Sequence, residues 1–259
     1  MTDQYPRVAS LSYQINSSET HKFAPEADTE GKLTSFRFHL RGSEAAFFPT
    51  THFASADEAL SVLDPQLRAW ELDVAFTEGL DVMTFKFIHA HVEKSPPEPG
   101  VTTVPFVARL MIGGLAPRVI VTHSMHPLPP TGFAVDDCVK TLGALFSFAK
   151  RTPIALLYVA YSMTTCVELY HGPRLSEAAK ALGFSSNVLD RVNQLATTRS
   201  IGAVARKFEV GEKRQPLSND ERVWLEVILE LIVRRAAAVA AGVPPGEQVT
   251  LSSHPLDMS

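Results

Sequence analysis

The feature that most constrains this chain is a change of hydrophobic period near Phe133. Before it, apolar and polar residues alternate over short runs, the period of half-buried strands. After it, apolar residues recur every three to four positions, the period of helices. A single switch of this kind segregates strands from helices and argues against the βαβα rhythm of a dinucleotide-binding fold. We therefore expect an α+β protein: an N-terminal antiparallel sheet with one long helix over 1–133, followed by an all-helical C-terminal half over 134–259.

Strand patterning covers 8–15 and 33–40, with the polar stretch 16–32 read as a loop between them. Ser55 then precedes Asp57 and Glu58, an acidic first turn suited to a helix start. Leu60, Leu63, Leu67, Trp70 and Val74 follow at helical spacing, and Pro65 is expected to split that run. Strands are expected at 82–94, 103–112 and 118–122, the last two joined by a GGLAP hairpin turn. In the second half, helices are expected over 135–150, 154–170, 176–182, 187–197 and 223–241. The second of these is apolar almost all round and should be the central one. Ser218 and Glu221 make a capping box before the last helix, and the tail beyond Pro245 reads as frayed.

Composition narrows the function classes. The chain has 259 residues, 45% hydrophobic and 20% charged, with a formal net charge of −4, so no global basic field gathers nucleic acid. Residues 1–134 carry 10 basic against 15 acidic side chains, and the remainder 14 against 13, which again separates two halves. No apolar leader opens the chain, and its longest apolar run is too short and too polar to span a membrane, so a cytoplasmic protein is expected. Cys138 and Cys166 have no CxxC spacing and read as reduced core thiols. There is no GxSxG, HExxH, GxGxxG or GxxxxGK[ST] motif.

Three constellations remain. In FKFIHAHVEK, strand alternation would place Phe85, Phe87, His89, His91 and Glu93 on one face, and His123 and His126 end a neighbouring strand. Imidazoles and carboxylates of this kind are metal ligands, so His89, His91, Glu93, His123 and His126 are candidate ligands if the two pairs converge. The alternative is that they are solvated or bonded to backbone. The segment 174–196 resembles a helix-turn-helix unit, with Ala179 at the close-packed position and Gly183 in the turn. That resemblance implies base-reading roles for Asn187, Arg191, Asn193 and Gln194 on the second helix. It covers about 23 residues, carries Asp190 on the presumed reading face, and equally fits a plain helical hairpin. Arg199, Ser200, Arg206 and Lys207 offer cations and a hydroxyl for an anion.

The expected function is a cytoplasmic binding or regulatory protein, its ligand, cofactor and any catalysis unknown. The alternatives are a metal-dependent enzyme using the histidines and a DNA-binding regulator using 174–196. The apolar stripe of the last helix, from Trp224 to Ile232, is a candidate homodimer surface, and no membrane partner is expected.

Overall fold

The computed structural model describes residues 5–95, 120–200 and 215–255. It is α+β, with an antiparallel five-stranded sheet and one long helix in the N-terminal half and mainly helices after it. The chain divides into two compact units, Met1–Pro129 and Pro130–Ser259.

In the first unit the strands are β1 (Arg7–Asn16), β2 (His21–Phe23), β3 (Asp28–Lys32), β4 (Phe36–Arg41) and β5 (Glu44–Pro49). After helix α1 (Ala56–Thr77) come β6 (Thr84–Glu93) and β7 (Val121–His123). The sheet order is β3-β4-β5-β1-β6, every pair antiparallel, while β2 and β7 form a separate parallel pair. Alternation dictates the faces. Val8, Leu11, Tyr13 and Ile15 of β1 and Phe36, Phe38 and Leu40 of β4 are buried on the inner face. Against that face α1 lays Ala59, Leu63, Leu67, Trp70 and Val74, a stripe at helical spacing.

Two features of this unit depart from the sequence reading. The stretch 16–32 contains β2 and β3 rather than being a loop throughout, because their ladder bonds, unlike side-chain pattern, do not show in composition. Pro65 does not split α1, which runs continuously over 22 residues. The lost N–H bond costs ~3 kcal/mol in a helix interior. Burial of the α1 stripe offsets it, and the Gln66 side chain donates to the Val62 carbonyl at 2.9 Å in the affected turn. The expected strand over 103–112 lies outside the described residues.

The second unit comprises α2 (Asp137–Arg151), a 3-10 turn at Pro153–Ala155, α3 (Leu156–His171), α4 (Leu175–Ala181), α5 (Ser186–Thr198) and α6 (Asn219–Ala240). Between the last two, β8 (Arg199–Ser200) pairs in parallel with β9 (Gln215–Pro216). Helix α3 is central, packing on α2, α4, α5 and α6, and buries Val159, Ala160, Met163, Cys166 and Val167. The capping box of Ser218 and Glu221 forms at the start of α6. The tail is better ordered than its composition suggests. Val249 exchanges 2.9 Å backbone bonds with Gly183 and Ser185, and Trp224 Nε1 donates to the His254 carbonyl at 3.0 Å. No helix among the described residues is long and apolar enough to cross a membrane.

Candidate functional site

The α2–α3 hairpin carries the densest chemistry in the helical unit. Asp136 caps α2, accepting the Val139 amide at 2.8 Å. One turn inside, Cys138 is buried, and its Sγ lies 3.6 Å from Nε2 of His171 at the end of α3. Cys166 is likewise buried, on α3, and both cysteines are free thiols. The neighbouring Cys166 thiol and burial together push the Cys138 thiol above its usual range. Burial pulls His171 below the usual imidazole range, so its ring is neutral near pH 7, with Asp136 opposing the shift.

On the solvent side of the same hairpin runs an open groove of about 600 Å³. Asp137, Lys140, Thr141, Ala144, Leu145 and Phe148 of α2 line it, with Tyr170 of α3. These α2 positions recur at three- and four-residue steps, so they form one stripe along the helix. Among the described residues nothing covers the stripe: Phe148 and Tyr170 are 46% and 48% exposed.

The candidate metal ligands are held at different places in the sheet unit. The register of β6 against β1 shifts between Phe87 and His89, leaving Ile88 as an extra residue. Such a bulge exchanges the faces of everything beyond it. Phe85 is buried and Phe87 contacts Tyr13 edge-on at 5.4 Å, both toward α1. Past the bulge it is Ala90 and Val92 that pack on the core. His89, His91 and Glu93 therefore lie on the outer face, correcting the expectation that all five residues share one side. There His89 is 3.5 Å from the Ser12 hydroxyl, His91 is exposed opposite Ser10, and Glu93 binds Arg7 at 2.7 Å.

His123 and His126 sit at the other edge of the sheet. His123 Nε2 meets His21 Nδ1 at 2.9 Å, one nitrogen donating to the other. His126 stacks on Phe23, and its Nε2 is 2.8 Å from the Gly42 carbonyl, which it can only meet as a donor. Its Nδ1 is 3.4 Å from the Thr29 hydroxyl, which also accepts the His126 amide. Burial lowers the pKa of His126, against the pull of the Gly42 bond and of Asp28, so the neutral ring is the structural form. Thr29 belongs to β3, four strand intervals from β6, a separation of roughly 19 Å. The two histidine pairs are not brought together, and among the described residues no group of three or more His, Cys, Asp or Glu is placed to hold a metal ion.

In the α4–α5 hairpin, Ala178, Ala179, Val188, Leu189 and Val192 are buried, and Gly183 takes φ +71°, a turn that favours glycine. Asn187 and Gln194 are exposed, as is Asp190. Asn193 accepts the Thr164 hydroxyl at 2.6 Å and thereby ties α5 to α3. Arg191 donates to Gln194 at 2.7 Å and lies 3.5 Å from Glu221. Of the candidate anion ligands, Arg199 forks onto both oxygens of Glu221 at 2.7–3.0 Å. Although burial opposes it, that fork, with the Ser218 amide, holds the Glu221 carboxyl below the usual range. Arg206, Lys207 and the Ser200 side chain lie outside the described residues. In α6, Trp224, Ile228 and Ile232 of the expected dimer stripe are buried within the unit, leaving Val223 and Val227 exposed.

Cys138 and Cys166 are buried free thiols, as expected; what the sequence reading missed is that one hairpin carries both and sets Cys138 against His171. The signal was present: each cysteine stands 14 residues from Thr152, which ends α2. A helical hairpin folding back about that turn places equidistant residues at the same height. Comparison with family models, with curated proteins and with solved structures finds no match to this chain, so the function is read from its own geometry.

Proposed function

We propose that this is a cytoplasmic binding or regulatory protein that acts through docking, and that a second copy of the chain occupies the α2 groove. The observation that carries this reading is the uncovered α2 stripe. Ala144 is at its middle, Leu145 and Phe148 beside it and Asp137 at one end, and the same helical line continues past the groove to the exposed Arg151. Helical steps put residues 137, 141, 144, 148 and 151 on one line. Two such stripes packed antiparallel about a two-fold axis near Ala144 bring Asp137 of each copy to Arg151 of the other. The small Ala144 side chains admit close approach, and Phe148 of each copy lies over the partner's first turns. The surface is thus self-complementary in charge as well as shape.

The alternatives have less support. A metal-dependent enzyme needs ligands that converge, whereas His89, His91 and Glu93 lie on β6 and His123 and His126 are engaged near β3, at the opposite edge of the sheet. A DNA-reading helix needs free side chains, and α5 engages Asn193 with Thr164 and Arg191 with Gln194 while exposing Asp190.

Sedimentation velocity over a concentration series tests the proposal. The expected result is a dimer whose Kd rises at least about tenfold in Phe148→Asp, a loss typical of an interface anchor. Asp137→Arg and Arg151→Glu should each weaken the dimer, and the double variant should restore it. A monomer at all concentrations, or a dimer indifferent to these changes, overturns it.

A further inference from the structure

We infer that the outer face of strands β3, β4 and β5 binds a small ligand that joins a phosphate group to a flat ring, of the nucleoside monophosphate kind. The site belongs to the sheet unit, so it is independent of self-association through α2. Strand register singles it out. Where the ladders of this sheet set two charged residues opposite one another, Arg7 faces Glu93, Asp28 faces Arg41 and Arg41 faces Glu44, each an acid against a base. Among the described residues Lys32 and Arg37 are the one such pair of like charge. Two cations directly opposite destabilise a sheet unless an anion lies between them. No side chain supplies it: Asp28 is taken by His39 at 2.7 Å, and among the described residues no carboxylate is ion-paired with Lys32 or Arg37.

Alternation turns both cations away from the core. On β4 the buried Phe36, Phe38 and Leu40 alternate with Arg37 and His39. On β5 Phe47 fills the core, which leaves Phe48 exposed on the outer face, opposite Arg37. Lys32, Arg37 and Phe48 thus make one row across three strands, and with Glu30 and His39 they line an open groove of about 450 Å³. The Arg37 guanidinium can fork onto two phosphate oxygens while the Lys32 ammonium takes a third. Phe48 has no ring partner among the described residues and offers a face on which a planar ring stacks. Glu30, on the same face two residues from Lys32, accepts a hydrogen bond from a hydroxyl or amine of the ligand. Charge sets the size of the ligand. A polymer would carry further phosphates over Asp28 and Glu44, in a half of the chain where residues 1–134 hold 15 acidic against 10 basic side chains. A single phosphate on a ring fits that field and a nucleic-acid strand does not.

Isothermal titration calorimetry on the full chain tests the proposal, with adenosine monophosphate, ribose 5-phosphate and adenosine as probes. Adenosine monophosphate should bind saturably with a Kd below about 1 mM. Ribose 5-phosphate and adenosine, which lack the ring and the phosphate respectively, should each bind at least about tenfold more weakly. Arg37→Gln and Lys32→Gln should each weaken adenosine monophosphate by about tenfold. Phe48→Thr should weaken adenosine monophosphate and leave ribose 5-phosphate unchanged, a split that damage to the fold would not produce. Lys32→Glu supplies the missing acid, so it should abolish binding while raising the urea midpoint of the free protein. Failure of adenosine monophosphate to saturate, equal affinity for it and ribose 5-phosphate, or affinity unchanged in Arg37→Gln overturns the proposal. So does a single-stranded oligonucleotide that binds more tightly than adenosine monophosphate, or a lowered urea midpoint in Lys32→Glu.

Discussion

The two units fill their interiors with different materials. The sheet unit packs rings: Trp70 lies 5.1 Å from Phe38 and 5.3 Å from Phe85, Tyr13 meets Phe47 edge-on at 5.3 Å, and Phe36 stacks on Phe53. The helical unit packs mainly aliphatic and small side chains, among them Ala160, Ala178, Ala179, Ala236, Ala237, Leu142, Leu189, Leu229 and Ile232, with Phe146, Phe184 and Trp224 its buried rings among the described residues. Geometry explains the division. A single helix over a sheet leaves a wide gap that large rings fill from both sides. Helices approach to 8–10 Å, and only where the facing residues are small. The chemistry follows the same division. In the sheet unit, His126 and Glu93 are bonded to structural partners, whereas the close approach of α2 and α3 sets the buried Cys138 thiol against the His171 imidazole.

Three perturbations probe this contrast, from the largest effect to the smallest. Trp70→Ala removes the ring at the centre of the sheet unit and the Nε1 bond to the Pro127 carbonyl, 3.1 Å long. It should cost ~3–5 kcal/mol. Hydrogen exchange read by mass spectrometry should show lost protection in β1, β4–β6 and α1 and unchanged protection in α2–α6; a uniform loss would end the distinction between the cores. Ala179→Leu tests the helical unit in the opposite sense. Ala179 is fully buried, so the added volume should cost ~1–3 kcal/mol and loosen α4 and α5 selectively. A neutral result would mean that this core has space to spare.

The third is a pH effect of the same sign in both units. Burial lowers the folded-state pKa of His126 and of His171 below the ordinary imidazole value of 6.5. As pH falls through that value the unfolded chain takes up protons before the folded chain does. The stability these rings contribute is therefore fully present above pH 6.5 and declines toward their lowered folded values. Denaturant unfolding between about pH 7.5 and 5.5 should show the decline. His126→Gln should remove the part lost in the sheet unit, and His171→Gln the part lost in the helical unit. An unchanged slope in both variants would place the titrating groups elsewhere.

Much of the framework was legible in local pattern. Alternation in β1 and β4, the α1 stripe from Leu63 to Val74, and the Ser218–Glu221 capping box each arise from contacts within a few residues. Other features had no local signature. The short strands β2 and β3 are held by backbone ladders to β7 and β4, which no periodicity in His21–Phe23 or Asp28–Lys32 reports. The bulge at Ile88 is one inserted position, yet it moves His89, His91 and Glu93 to the opposite face.

The sequence by itself determined the α+β class, the order of the sheet-forming half before the helical half, and which stripe of α1 faces inward. These follow from side-chain period and capping chemistry, properties of adjacent residues. Tertiary structure decided what the chemical side chains meet. His123 and His126 were carried to the β3 edge, Arg199 to Glu221, and Cys138 to His171, because strand register and helix packing set distances between residues far apart in the chain.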